Sequence, residues 1–275
     1  MLFVEAITFA TLGLIVGSFL NVCILRLNTG RSNSGRSGCM SCGAQLVWYE
    51  LIPVFSFLGL RGRCRTCGSR ISHQYWLVES VTSLLFLLVW MQHFSIVMSA
   101  CALVIVSLLV VIAAYDIKHT IIPNTLVYAL FLTALVAHIY FSSSLPLIDL
   151  VLYVALVMVS GLIVALPLGA LWFFSKGRWM GFGDVKLAMG FGLILGTYKG
   201  LMAVMLGFIV GAIVSVFLMY APKVMKRLSL SRRGTRFTMN SEIPFAPFLI
   251  VGFFLVFLFN VDVIALSEII YGFIL

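Results

Sequence analysis

The stretch Val185-Lys186-Leu187-Ala188-Met189-Gly190-Phe191-Gly192-Leu193-Ile194-Leu195-Gly196-Thr197 is apolar but short. At 1.5 Å per residue it reaches about 20 Å, against about 30 Å of hydrocarbon in a bilayer. Whether it crosses decides the fold. Working outward, longer apolar runs occupy residues 2–25, 77–95, 96–115, 124–141 and 148–174 before it, and 201–220 and 243–260 after it. Each has roughly the 20 apolar residues that a spanning helix needs.

The loop charges give the answer. Arg26, Arg31, Arg36, Arg61, Arg63, Arg65 and Arg70 lie between the first two runs. Lys118 follows the third, and Lys176, Arg178 and Lys186 follow the fifth. Lys223, Lys226, Arg227, Arg232, Arg233 and Arg236 precede the last. If the short stretch crosses, all of these share one face and only Lys199 lies on the other, as basic residues retained in the cytoplasm require. If it does not, the last basic loop would be translocated. The sequence therefore predicts eight crossings, both termini outside and the basic loops cytoplasmic.

Composition supports the same class. The 275 residues are 62% hydrophobic and 10% charged, against about 45–50% apolar and about 25% charged in soluble domains. That excess excludes a water-soluble enzyme, a disordered chain and a disulfide-stapled secreted module. The net charge of +9 marks topology and anionic headgroups, not nucleic acid. Met1–Cys23 is not a cleaved signal, because Glu5 replaces a basic start and the apolar run is long. The expectation is an all-α polytopic membrane protein, about eight transmembrane helices with a small zinc-binding cytoplasmic domain. Its parts are residues 1–25, the first helix; 26–76, a cytoplasmic loop domain; and 77–275, the main membrane domain. Loop 221–242 is read as mobile, and no internal repeat is evident.

Residues 26–76 are too few for a secure core unaided. They hold Cys39-Met40-Ser41-Cys42 and Cys64-Arg65-Thr66-Cys67. Two C-x-x-C pairs, each followed by a glycine (Gly43, Gly68), match a zinc knuckle. The alternative is two disulfides or free thiols, but a cytoplasmic loop stays reduced. A closed four-thiolate site has no open position for water, so such a metal is structural. Cys23 and Cys101 read as packing residues.

The nine acids are Glu5, Glu50, Glu79, Asp116, Asp149, Asp184, Glu242, Asp262 and Glu268. Asp116 ends the third run, and Asp184 follows Gly181-Phe182-Gly183 at the head of the short one. Both fall at the cytoplasmic end and at membrane depth, where an ionisable group is a functional candidate by default. Alternatively, Asp184 caps a helix, and Asp116 pairs with Lys118 or His119. Two carboxylates facing one notch would share a proton and activate water. Glu50 and Glu79 either contact a basic substrate or pair with loop arginines. Gly190, Gly192, Gly196, Gly207 and Gly211 suit close helix packing.

These strings resemble a known family. Gly181-Phe182-Gly183-Asp184 is similar to the GxGD signature of membrane aspartic proteases, and Gly177 to Leu187 resembles that of bacterial type IV prepilin peptidases. So do Gly17-Ser18-Phe19-Leu20-Asn21-Val22, Ile52-Pro53 through Cys67, Ile122-Pro123-Asn124 after Asp116, and Ile243-Pro244-Phe245-Ala246-Pro247-Phe248. Met40, Trp76 and Asn28 stand where many members have proline. The resemblance implies a peptidase that removes the leader of type IV prepilins and pseudopilins at the bacterial inner membrane, making 77–275 a membrane peptidase domain. It implies catalysis by Asp116 and Asp184, a metal on Cys39, Cys42, Cys64 and Cys67, and N-methylation from S-adenosylmethionine. No Rossmann-type glycine fingerprint is present for that donor. A proton- or cation-coupled transporter using the buried aspartates is the alternative, weakened by the lack of an inverted repeat.

Overall fold

The computed structural model describes residues 2–29, 35, 37–227 and 244–262. Arg31, Arg36, Arg232, Arg233, Arg236, Glu242, Ile243 and Glu268 therefore lie outside the described residues, as does most of loop 221–242. Among the described residues the regular elements are helices, with two isolated β-bridges and no strand. The chain divides into two compact units, Met1–Ala114 and Tyr115–Leu275.

The first unit holds α1 (Leu2–Arg26), a 3-10 turn (Trp48–Leu51), α2 (Phe55–Gly59), α3 (Gln74–Trp90) and most of α4 (Ile96–His119). Helices α1 and α3 run antiparallel at close range. A Cβ on Gly13 would lie 2.6 Å from the Cα of Ser83, and one on Gly17 would lie 2.8 Å from the Cα of Glu79. Without a hydrophobic driving force in lipid, such small-residue contacts let backbones gain dispersion and polar bonds. Ser83 Oγ donates to the Ala10 carbonyl at 2.8 Å, and Asn21 Nδ2 to that of Tyr75 at 3.0 Å. At the other end, Trp90 Nε1 donates to Glu5 Oε2 at 3.3 Å.

The second unit holds the end of α4 with α5 (Asn124–Phe141), α6 (Leu147–Ser175), α7 (Phe182–Arg227) and α8 (Ala246–Phe259). Helix α7 is continuous only by its hydrogen bonding, because Gly196 breaks it with φ 78° and ψ 178°. That region is essentially reserved for glycine. The chain reverses there: a Cβ on Gly200 would lie 3.1 Å from the Cα of Gly192, where eight residues of straight helix span about 12 Å. The first arm, 182–195, is the short crossing, and the second arm returns. Gly196 was expected to pack helices; instead it makes the turn. Gly207 and Gly211 do pack, against Leu249 and Phe248 of α8.

Among the described residues five helices are long and apolar enough to span a membrane, α7 counted once, and α3 and α8 are shorter apolar helices. With α7 reversed at Gly196, the apolar segments number the eight that the loop charges require. Large apolar side chains such as Phe3, Ile15, Ile148, Leu152 and Phe217 stay exposed, as helices bathed in lipid allow.

Candidate active site and metal centre

Asp116 sits in the last turn of α4 and Asp184 in the first turn of α7, both within the second unit. They are 5% and 7% exposed. Each field reaches the other: Asp116 acts electrostatically on Asp184. Burial of two acids in mutual range is not what helix ends require, and the neighbours show how it is maintained.

Asp116 accepts a hydrogen bond from the Ala246 N–H, at the start of α8. It pairs with neither Lys118 nor His119; the His119 ring instead lies on Tyr115, centroids 4.4 Å apart. Asp184 accepts the N–H of Gly181. The capping alternative is therefore met in part, since a carboxylate in the first turn satisfies an orphan donor and the helix dipole.

The loop after α4 closes the arrangement. A Cβ on Gly183 would lie 2.9 Å from Ile122 Cβ, so this glycine admits Ile122 rather than a substrate. Around Gly181 only Asp184 Oδ2 and the Gly183 nitrogen come as near as 3.9 Å, leaving space at that glycine. Lys186 Nζ donates to Asn124 Oδ1 at 2.8 Å and lies 5.0 Å from the Phe182 ring centroid. Thus residues 116–124, 181–186 and 246 meet through named contacts.

One residue here carried no expectation. His138 Nε2 lies 2.8 Å from the Leu193 carbonyl oxygen, and its Nδ1 lies 2.9 Å from Tyr153 Oη. The break at Gly196 removes the helical donor four residues on, and the imidazole N–H replaces it. Tyr153 then donates to Nδ1. Only the knowledge that the chain reverses identifies this role.

In the first unit the four cysteine sulfurs all lie within 4.8 Å of one another, with Cys39 and Cys67 at 3.9 Å. Sulfurs about 2.3 Å from one tetrahedral ion stand about 3.8 Å apart, so the cluster could hold a metal. The two knuckles have the same hydrogen bonding. Gly43 N–H donates to Cys39 O and Gly68 N–H to Cys64 O, both at 2.9 Å; Cys39 N–H reaches Ala44 O at 2.9 Å and Cys64 N–H reaches Ser69 O at 2.8 Å. Leu46 N–H to Ser37 O and Ile71 N–H to Gly62 O close the pairs. This is an internal repeat, contrary to the reading that none exists.

The thiols are unequal. N–H groups of Cys42 and Ser41 hold the Cys39 thiol at about 6, and the Ser69 hydroxyl and N–H lower that of Cys67. Cys42 receives the Ala44 N–H, yet its bonded neighbours Cys39, Cys67 and Cys64 push it up to about 11. Four thiolates this close need a cation to coexist.

Glu79, 6% exposed, pairs with no arginine among the described residues: its Oε2 accepts the Val54 N–H at 2.7 Å, and the Ser18 hydroxyl also donates to it. Glu50 accepts the Val47 N–H at 3.0 Å. Both acids thus have partners other than the loop arginines.

The helices define a polytopic membrane protein, and its second unit buries two aspartates. Residues 11–93 match the bacterial peptidase A24 N-terminal domain, and residues 103–216 match the type IV leader peptidase family. The chain is 30% identical to the prepilin leader peptidase/N-methyltransferase of Bacillus subtilis, over 92% of this chain and 94% of that protein. It is 29% identical to the protein of that name from Vibrio cholerae, over 94% and 98%, and 48% identical to the one from Myxococcus xanthus, over 43% and 36%. No solved structure matches it significantly. The chain belongs to the type IV leader peptidase family. Nothing among these relatives supports the transporter alternative.

Proposed function

We propose that this protein is a membrane aspartic endopeptidase that removes the leader of type IV prepilins or pseudopilins at the cytoplasmic face of the bacterial inner membrane, then methylates the new amino terminus. The substrate and the second activity follow the names of the relatives. The observation that carries the peptidase reading is the burial of Asp116 and Asp184 within each other's field.

The chemistry follows from two acids sharing one proton. The ionised carboxylate takes a proton from a water whose oxygen attacks the scissile carbonyl carbon. The protonated carboxyl hydrogen-bonds to the developing oxyanion and then gives its proton to the leaving amine. Ala246 and Gly181 N–H groups each hold one carboxylate in place, which leaves acceptor capacity on both for water and substrate. The open space at Gly181 admits an extended peptide. A prepilin, in this reading, presents a basic leader in water and an apolar helix in lipid, with the cut between them.

Cys39, Cys42, Cys64 and Cys67 hold zinc, which supplies the stability that a small loop lacks. The methyl donor is S-adenosylmethionine. Among the described residues no glycine-rich turn follows a strand, so no residue is assigned to it.

Coexpression with a prepilin tests the reading. Asp116→Asn and Asp184→Asn should each leave most of the precursor uncut; cleavage at the unaltered rate by either variant removes the diacid mechanism. Mass spectrometry of the mature pilin should show one added methyl, and an unmodified terminus with donor present removes the second activity. Metal analysis of the purified protein should give about one zinc per chain.

A further inference from the structure

Residues 48–59, in the first unit, carry a set of apolar side chains that the molecule leaves uncovered. Trp48 is 77% exposed, Phe55 67% and Leu58 65%. In a loop surrounded by water such a patch is unfavourable. Its depth beside the helices says what covers it.

The Val54 N–H is bonded to Glu79, the sixth residue of α3. Phe57 packs its ring on His73 and Trp76, centroids 5.7 and 6.4 Å apart. The start of α2 therefore lies beside the first turns of α3, not beyond its end. On α1 the residue facing Glu79 is Gly17. From Gly17 to Arg26, the first basic residue of α1, the axis runs about 13 Å at 1.5 Å per residue. The segment thus stands within the apolar length of both helices. On α3, Leu77 and Leu84, one and three turns along from His73 on the same side, are likewise 50% and 56% exposed.

Charge selects the kind of surface. Arg61, Arg63 and Arg65 directly follow and are exposed. Arg65 bonds the Tyr49 hydroxyl and lies 5.6 Å from its ring centroid, which ties the basic knuckle to the aromatic turn. A basic leader peptide would be repelled there, whereas anionic headgroups would be attracted. Indole and phenol rings prefer that boundary.

We propose that residues 48–59 are an interfacial anchor: Trp48, Phe55 and Leu58 insert at the headgroup–acyl boundary, and Arg61 and Arg65 bind anionic phospholipid headgroups. The anchor is monotopic, lying in the boundary as amphipathic segments do about 5–10 Å deep. It pins the metal knuckles to the bilayer and is independent of the peptidase reading.

The test uses the full chain in proteoliposomes of phosphatidylglycerol and phosphatidylethanolamine with brominated acyl chains. Fluorescence of the unchanged protein minus that of Trp48→Phe isolates Trp48. Its emission should be quenched more by bromine near the glycerol end than by bromine near the methyl end, and aqueous iodide should leave it largely unquenched. Phe55→Ser with Leu58→Ser should restore iodide quenching. Replacing phosphatidylglycerol by phosphatidylcholine should weaken the insertion equilibrium roughly fivefold per arginine, and Arg61→Gln with Arg65→Gln should abolish that difference. Iodide quenching without bromine quenching overturns the anchor. Shielding of Trp48 only on adding prepilin makes the patch a substrate surface and also overturns it. Equal insertion in both lipids overturns the anionic assignment.

Discussion

The cysteine knuckles and the aspartate pair are both small polar clusters in an apolar chain, and they are held in opposite ways. Every backbone bond within a knuckle joins residues at most nine apart, from Ser37 to Leu46 or from Gly62 to Ile71, and the four sulfurs then meet between the two copies. The aspartate cluster joins Asp116 to Ala246 and Ile122 to Gly183, across loops and helices that must be packed first. One site is assembled from two local turns; the other is the product of the whole second unit.

The sharpest way to break the comparison is to remove metal. Structural zinc contributes apparent binding energies of about 10–16 kcal/mol to such folds. Chelation, or Cys64→Ser at the one buried ligand, should open residues 37–73 to limited proteolysis while α5 to α8 stay protected. Equal proteolysis of both units would mean that the sites are not separable.

Next in size, Asp116→Asn or Asp184→Asn should lower cleavage by about 10²–10⁴-fold, the ordinary reach of general acid–base catalysis. Zinc content should be unchanged, and a fall in it would tie the two sites together. Gly183→Ala, which drives a methyl against Ile122, should cost about 1–3 kcal/mol of packing and slow cleavage with both acids retained. Ile122→Ala in the same chain should restore part of the rate; no restoration would locate the fault elsewhere.

His138→Leu should cost about 1–3 kcal/mol, the penalty for a buried acceptor left without its donor, seen as a lower melting temperature. An unchanged melting temperature would mean that water replaces the imidazole. The smallest effect is a rate order. In metal-stripped protein at pH 7, Cys39 at about 6 is already thiolate, whereas Cys42 at about 11 is protonated. Cys39 should alkylate first, with a rate that is level above pH 7 and falls as pH drops through about 6. The Cys42 rate should climb throughout. Mass spectrometry of the modified peptides reads both.

What was legible in the sequence follows the same division. Knuckles announce themselves because two residues between cysteines fix the turn, and spans because hydrophobicity and loop charge act over a window. The burial of both aspartates followed from their positions at the ends of apolar runs. Hidden were the contacts that only packing creates. Glu79 was expected beside arginine or substrate, yet it takes the Val54 N–H. Gly183 reads in the sequence only as part of a motif, yet its missing side chain makes room for Ile122. His138 had no neighbour in sequence to suggest a role, because its partner is a carbonyl released by a chain reversal. The repeat of the two knuckles was in plain view as Cys-x-Ser/Thr-Cys-Gly but spans too few residues to register as one.

The reversal at Gly196 carries a mechanical consequence. The arm from 182 to 195, at 1.5 Å per residue, falls roughly 9 Å short of the hydrocarbon thickness. Neighbouring helices enclose most of it, with Leu187, Ala188, Phe191 and Leu193 buried, so protein rather than lipid surrounds the arm and takes up the shortfall. An arm too short to reach both surfaces would set the carboxylate at its head, Asp184, below the headgroup level, inside a protein wall rather than at its rim.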